Sequence, residues 1–253
     1  MCYVWRGLTK LLPCQFKTPR SMTISNKLVG VLFLANALVA GSAFASSIKP
    51  PDTVAQRAVA YIACHGKDGR ATSDGFFPRI AGKPAGYLYN QLINFRDGTR
   101  SYPLMTYMVG HMSDQYLQEI AQYFSEQHPP YAAPQPARAS ADSMALGRRL
   151  VLTGDPARKV PACIACHGET LRGVLPAIPS LLGLPRDYVN AQIGAWKNGA
   201  RKARAPDCMA HISKQLSSEE VGAISSWLAT QPIPRDMAPA ASVTLPTPCG
   251  SAQ

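Results

Sequence analysis

Cys163-Ile164-Ala165-Cys166-His167 is the stretch of sequence that decides the fold. Two cysteines at this spacing can form thioethers with both vinyl groups of one haem, and the adjacent histidine can then bind the iron. The pattern therefore predicts c-type haem attachment through Cys163 and Cys166, with His167 as the proximal ligand. A zinc site would need a second ligand pair at similar spacing, and a thioredoxin-like redox pair would need a βαβ context. Neither is visible in the sequence.

The same pattern occurs about a hundred residues earlier in an incomplete form. Cys64-His65-Gly66 matches Cys166-His167-Gly168, but Tyr61 takes the place of the first cysteine and cannot form a thioether. Five further pairs match in the same order: Gly82 with Gly183, Tyr87 with Tyr188, Gln91 with Gln192, Phe95 with Trp196, and Gly98 with Gly199. Each copy also has a methionine eight residues before a serine, Met105 before Ser113 and Met209 before Ser217. This ordered correspondence predicts two copies of one domain.

Within each copy the apolar residues recur at helical spacing, and strand signals are scarce. Asp52 is predicted to cap the first helix, and Ser217 with Glu220 forms a capping box before the last one. Each copy is thus predicted to be a small all-α unit of about three helices, with its methionine in a long loop. A unit of this size has little core of its own, so a buried haem would supply the missing apolar mass.

Composition predicts the boundaries of these units. Lys27, an apolar run over 28–40 and small residues at 43 and 45 fit a cleaved signal peptide over 1–45, with Met22 as an alternative start. The run is short for a membrane anchor. Proline-rich segments then separate an N-terminal domain, a C-terminal domain and a tail. The predicted ranges are 46–128 for the first domain, 129–141 for the linker, 142–231 for the second domain and 232–253 for the tail.

Export and charge limit the partners. An exported chain reaches an oxidising compartment, the periplasm in bacteria, where c-type haem attachment takes place. Five of the 26 Lys and Arg precede Ser46, which leaves 21 basic against 15 acidic residues and a net charge of +6. This modest excess gives little support to nucleic-acid binding and fits acidic protein partners. The basic run of Lys197, Arg201, Lys202 and Arg204 is interpreted as a docking surface or as a solvated loop.

The order of motifs resembles class I cytochrome c. In each copy a Cys-His pair precedes a Pro-x-x-x-Gly loop, a Tyr-x-x-x-Gln helix, a methionine and a terminal helix, and two such units in tandem resemble the dihaem cytochromes c4 over residues 50–232. The resemblance implies two small cytochrome c domains, each built around a haem c. It implies Met209 as the distal ligand in the second domain, and His65 and Met105 as axial ligands in the first.

In the first domain Cys64 alone would bind the haem covalently, through a single thioether. An empty or non-covalently filled site is the alternative. Met108 is a weaker candidate for the iron than Met105, because only Met105 has the same offset to its following helix as Met209.

The resemblance implies a single-electron carrier between a dehydrogenase or respiratory complex and a terminal acceptor, and not an enzyme. The alternatives are a cytochrome subunit of a membrane-associated dehydrogenase, with peripheral membrane association, a dihaem peroxidase, and a sulfur-oxidising enzyme of the thiosulfate dehydrogenase type. A peroxidase needs an exchangeable iron position, and Met209 argues against it.

Cys208 and Cys249 are most economically a disulfide that pins the tail over the methionine segment. A free Cys208 would instead favour the sulfur enzyme, because a reactive thiol would then lie beside the predicted iron ligand.

Overall fold

The computed structural model describes residues 51–72 and 77–253. The predicted signal peptide, its alternative start at Met22 and the predicted first mature residue Ser46 lie outside the described residues. Pro50–Gln253 forms one compact unit, so the two predicted domains pack together. None of the helices in the described ranges is long and apolar enough to cross a membrane.

The described chain is helical, with isolated bridges and no strands. The helices of the first domain are α1 (Val54–His65), α2 (Ala85–Arg96), α3 (Pro103–Val109) and α4 (Asp114–Ser125). Those of the second domain are α5 (Ala141–Leu152), α6 (Ile164–His167), α7 (Arg186–Lys197), α8 (Cys208–Gln215) and α9 (Ser218–Ala229). The predicted all-α class is confirmed. The domain boundaries stay predictions, and α5 begins inside the stretch predicted as linker.

The helix caps follow the sequence with one exception. Ser217 and Glu220 form the predicted capping box at the start of α9. The first helix, however, is capped by Thr53, whose hydroxyl accepts a hydrogen bond from the Gln56 amide at 3.2 Å, and not by Asp52. The Asp52 carboxylate instead pairs with Arg57 at 2.7 Å. Both residue types are good N-caps, so the choice depends on which residue directly precedes the first helical turn.

The two methionines lie on short helices, and the prediction of long loops was wrong. Pro103 opens α3, where its fixed φ suits a first helical position and its missing N–H costs nothing. Asp207 caps α8 by accepting a hydrogen bond from the Ala210 amide at 3.0 Å. These start signals make each methionine segment helical, which places Met105 and Met209 near the beginning of a helix.

The core of the second domain depends on a close crossing of α5 and α9. Gly147 lies at this crossing, and a Cβ atom on it would come within 2.1 Å of the Ala223 carbonyl oxygen and 3.0 Å of the Trp227 Cβ. A backbone atom on a neighbouring helix cannot move aside without moving that helix. Only glycine therefore permits this separation of the two helices.

Gly147→Ala is expected to destabilise the protein by about 3 kcal/mol, because the added methyl group forces α5 and α9 apart. Gly222→Ala on α9 is the matched control, since a Cβ atom there meets nothing within 4 Å. The control should be neutral or stabilising by up to about 1 kcal/mol, because alanine is the better helix former. Denaturant unfolding followed by far-UV circular dichroism measures both values. Equal stability of the two variants would contradict the close crossing.

The linker is bound to the protein surface at its start and again at Gln135. Arg79 is buried and donates hydrogen bonds to the carbonyl oxygens of Pro129 at 2.6 Å and Pro130 at 3.1 Å. Its guanidinium also lies 3.7 Å from the centre of the Tyr131 ring. Further along, the Gln135 amide donates to the Ala229 carbonyl at 2.8 Å. The linker therefore contacts residues of both predicted domains.

Candidate haem sites

The second domain encloses a cavity of about 160 Å³ that brings its predicted site residues together. Cys163, Cys166, His167 and Met209 all line it. His167 ends α6 and is 8% exposed, and its Nδ1 atom lies 2.8 Å from the Pro179 carbonyl oxygen. Because a carbonyl oxygen only accepts hydrogen bonds, Nδ1 carries the proton and Nε2 keeps a lone pair. This arrangement orients an imidazole to bind a metal through Nε2.

The first domain has a matching cavity of about 410 Å³. Cys64, His65 and Met105 line it, and Tyr61 does so at the position of the missing cysteine. His65 is 7% exposed, and its Nδ1 atom lies 2.8 Å from the Pro78 carbonyl oxygen. The first histidine is thus held in the same way as the second.

Burial keeps both imidazoles neutral. Loss of solvent lowers the pKa of His65 and of His167 below the usual value, although the proline carbonyl at each site acts in the opposite direction. A neutral imidazole is the form that can ligate iron. Both histidines therefore have the protonation state that an axial ligand needs.

Tyr61 fills the place of the missing thiol with a buried ring. It is 3% exposed, and its ring packs edge-on against Phe124 with 5.9 Å between the centroids. Burial raises the pKa of its phenol, so the side chain stays neutral. Tyr61 is therefore part of the core of the first domain, which leaves Cys64 as the one thiol at this cavity.

The thiols of the second cavity do not resemble a reactive redox pair. Burial raises the pKa of the Cys163 thiol to about 12, and burial raises the pKa of Cys166 as well. Redox-active pairs have a lowered thiol pKa instead. Within residues 51–72 and 77–253, no group of three or more His, Cys, Asp or Glu could hold a metal ion. Each cavity offers one imidazole, and its methionine thioethers are those of Met105 and Met108 in the first cavity and of Met209 in the second.

The two cavities share a polar wall, which we call the shared wall. Residues lining both cavities are Lys83, Tyr87, Gln91, Tyr188, Gln192 and Arg201, and Arg100 lies among them in the first cavity. The contacts are reciprocal between the repeats. Arg100 donates to Gln192 at 2.6 Å, and Arg201 donates to Gln91 at 2.9 Å. Backbone hydrogen bonds between 99–101 and 200–202 connect the same two segments.

The shared wall holds positive charge without a carboxylate partner. Lys83 and Arg201 are 8% and 5% exposed, and neither they nor Arg100 take part in any ion pair formed within the described ranges. Burial lowers the pKa of Lys83 and of Arg201. Burial alone would raise the pKa of Tyr87, but Arg201, Arg100 and Lys83 lower it to about 8. At Tyr87 the effect of the three cations therefore outweighs that of burial.

This charge fits the anionic edge of a haem. A buried cation without a counter-ion is costly, and carboxylates are the natural partners of a guanidinium group. In the second cavity the buried Trp196 Nε1 also has no hydrogen-bond partner among the described residues. Haem propionates would satisfy both kinds of group. The lining of the cavity, its donor atoms and its unpaired cations thus all fit a bound haem.

Sequence reasoning missed the shared wall and misplaced Arg201. The predicted basic docking run included this residue, but the structure buries it and leaves Lys197, Lys202 and Arg204 exposed. A signal was available, because Arg100 and Arg201 each follow the matched Gly98 and Gly199 by two positions. A charged residue repeated in both copies is better explained by a shared structural position than by a surface run.

Cys208 and Cys249 form a disulfide with 5.0 Å between their Cα atoms. Cys64, Cys163 and Cys166 are the free cysteines among the described residues, and all three lie at the cavities. Cys208 therefore offers no reactive thiol beside Met209. The sulfur-enzyme alternative thus loses its reactive thiol and stays a prediction.

Comparisons with known proteins agree with this architecture. No protein-family model matches the chain. A thiosulfate dehydrogenase electron acceptor from Stutzerimonas stutzeri is 35% identical over 202 residues, which cover 80% of this chain and 93% of that protein. Cytochrome c4 from Pseudomonas aeruginosa is 33% identical over 207 residues, which cover 80% of this chain and 98% of that protein.

Two solved structures extend the comparison. Reduced cytochrome c4 from Pseudomonas stutzeri matches with a TM-score of 0.61 and 28% identity, covering 70% of this chain and 96% of that one. A thiosulfate dehydrogenase (TsdBA) from Marichromatium purpuratum matches with a TM-score of 0.61 and 32% identity, covering 68% of this chain but 36% of that longer chain.

Fold and sites together define a two-domain c-type cytochrome, a haem-binding electron carrier. The chain belongs to the cytochrome c4 family, in which its relatives include thiosulfate dehydrogenase electron acceptors. The resemblance inferred from the sequence is confirmed.

Proposed function

We propose that the protein is an exported, periplasmic electron carrier with a haem c in each domain. Cys163 and Cys166 hold the second haem covalently, with His167 and Met209 as axial ligands. Cys64 holds the first through one thioether, with His65 and Met105 as axial ligands. A thioether opposite an imidazole favours the ferrous state and suits electron transfer without ligand exchange. The protein's part is to keep both ligands in place and to exclude water.

The observation that carries this proposal is the pair of matched cavities on the two sides of the shared wall. Each cavity contains a methionine and a histidine, and the histidine is oriented by a hydrogen bond to a proline carbonyl. The residues that line both cavities include Tyr87, Gln91, Tyr188 and Gln192. Groups bound on the two sides of a wall one side chain thick are close enough to exchange electrons. One domain can then receive an electron and the other can donate it.

We also propose that the electron donor is a thiosulfate-oxidising dehydrogenase, because two of the relatives are named as electron acceptors of that enzyme. In this proposal the protein is a carrier and not the oxidising enzyme. The disulfide, which leaves Cys208 without a free thiol, supports this part of the proposal. The exposed Lys197, Lys202 and Arg204 of the second domain supply a basic surface for an acidic partner. Stable association with a membrane-bound dehydrogenase is the alternative that copurification would reveal.

The mature protein, mixed with thiosulfate and a catalytic amount of thiosulfate dehydrogenase, is expected to take up about two electrons per chain, one for each haem. The growth of the reduced haem absorbance bands in a stopped-flow experiment measures this uptake. Thiosulfate alone is the control and should reduce neither haem at a comparable rate. Rapid reduction and turnover with thiosulfate alone would show an enzyme. No reduction in the presence of the dehydrogenase would show a different donor.

A further inference from the structure

The C-terminal tail is fixed to the second domain at two separate places. The first lies at 236–240, where Asp236 pairs with Arg172 at 2.5 Å. In the same region the Leu175 amide donates to the Ala240 carbonyl at 2.8 Å, and the Ala240 amide donates to the Gly173 carbonyl at 2.9 Å. This part of the tail runs beside the loop that follows His167.

The second place lies at the end of the tail, beside α8. Cys249 is joined to Cys208, which closes a loop with a sequence separation of 41. The Gly250 amide donates to the Pro206 carbonyl at 3.0 Å, and a Cβ atom on Gly250 would lie 2.3 Å from the Ala205 carbonyl oxygen. The tail backbone therefore lies directly against the turn that leads into α8.

The end of the tail forms part of the wall of the second cavity. Leu245, Cys249, Ser251 and Ala252 line this cavity together with Met209. Asn90 of the first domain also donates a hydrogen bond to the Ser251 carbonyl at 3.3 Å. The end of the tail is thus held by the disulfide, by the hydrogen bond to Pro206 and by the hydrogen bond from Asn90.

The first domain lacks this cover at the equivalent position. Met105 corresponds to Met209, so Leu104 corresponds to Cys208 and Tyr107 to His211. Leu104 is 45% exposed, whereas Cys208 is half-buried; Tyr107 and His211 are both exposed. The tail therefore covers the position next to Met209, and the position next to Met105 has no such cover among the described residues.

We propose that the disulfide-bonded tail is a clamp that holds α8, and hence Met209, against the second cavity. The proposal rests on the ligand role of Met209 proposed above. An eight-residue helix has little stability of its own, so it opens locally unless other contacts hold it. A covalent bond from the residue before the methionine to a tail that is bound elsewhere opposes this opening. Cys249 is accordingly a positioning residue, which acts on the iron through Cys208 and α8.

The test compares the wild-type holoprotein with the double variant Cys208→Ser/Cys249→Ser, which removes the disulfide without leaving a free thiol near the iron. Carbon monoxide competes with a methionine for ferrous haem, so its binding reports how often the methionine leaves. Binding to the second haem is expected to strengthen by about tenfold, because the clamp no longer opposes opening. The ferric methionine-to-iron absorption band of the second haem should weaken in parallel.

Two comparisons show that the effect is local. Asp236→Ala removes one exposed ion pair of the tail but keeps the disulfide and the backbone hydrogen bonds of Ala240 that anchor the tail, so it should leave carbon monoxide binding unchanged. The first haem, identified by its own response in Met105→Ala, should bind carbon monoxide equally in the wild type and the double variant. A change at both haems would show general destabilisation and would overturn the clamp.

Met209→Ala distinguishes a failure of the clamp from a failure of the ligand assignment of Met209. If this substitution opens the second haem while the double variant behaves as the wild type, the ligand assignment stands and the clamp is wrong. If Met209→Ala changes nothing at the second haem, the ligand assignment itself fails.

Should the double variant not fold, hydrogen exchange of the wild-type holoprotein decides whether the clamp exists. Amides of α8 are expected to exchange at least about tenfold more slowly than those of α3, and equal rates would refute the clamp.

Discussion

Cys64→Ser is expected to make the first haem extractable by acid acetone, while the second haem stays bound. Tyr61 cannot form a thioether, so Cys64 would supply the one covalent bond at this cavity. The intact mass of the mature wild-type protein should therefore contain two haems, and that of the variant should contain one. This is a complete loss of one covalent group. A wild-type mass with a single haem would mean that the first site is empty or reversibly filled.

Cys163→Ser is the matched control, because it gives the second domain the same single thioether through Cys166. The second haem should remain covalently bound, and its pyridine haemochrome band should shift to the red because one vinyl group is now unsaturated. The shifted band should then coincide with that of the first haem. Tyr61→Cys should produce the opposite shift at the first haem. Two coincident bands in the wild type would contradict the single-thioether assignment.

Met209→Ala is expected to lower the reduction potential of the second haem by on the order of 0.2 V and to open its iron to carbon monoxide. A thioether stabilises ferrous iron, and water or a vacant position in its place does not. Spectroelectrochemical titration should show one potential falling while the other stays constant. The methionine-to-iron band of the second haem should disappear at the same time.

Met108→Ala serves as the control in the first domain. Met108 lines the first cavity, but Met105 is the more deeply buried of the two methionines there. Met108→Ala should leave both potentials within about 0.05 V of the wild type, whereas Met105→Ala should lower that of the first haem. A large fall in Met108→Ala would transfer the ligand role to Met108. A second-haem band that survives in Met209→Ala would refute the assignment of Met209.

The sequence predicts the features that depend on local patterns. The two cysteines and the histidine that would attach a haem lie within five consecutive positions of the Cys-x-x-Cys-His motif. The repeat is visible as an ordered set of matched residues. Helix caps are also local, which is why the capping box of Ser217 and Glu220 is confirmed. The family resemblance follows from the motifs and their order.

The remaining features depend on contacts between distant segments. The hydrogen bond from Arg100 to Gln192 joins residues 92 positions apart, and no local pattern of charge indicates it. The short helices around Met105 and Met209 were missed for a different reason. Segments of seven and eight residues are too short for periodicity to separate helix from loop, so their start signals at Pro103 and Asp207 were the better guide.

Four contacts across the shared wall form two pairs in which the partners are exchanged. Arg100 reaches Gln192 and Arg201 reaches Gln91, while the Ser101 amide donates to Ala200 and the Lys202 amide donates to Thr99. Two identical subunits related by a twofold axis form contacts of this kind.

The tandem chain therefore contains, within one polypeptide, an interface of the kind that relates the subunits of a symmetric homodimer. A covalent link between the two halves makes their association independent of protein concentration. The halves still differ in sequence, because Tyr61 takes the place of the first cysteine in one motif and the disulfide-bonded tail is joined to the methionine helix of the other.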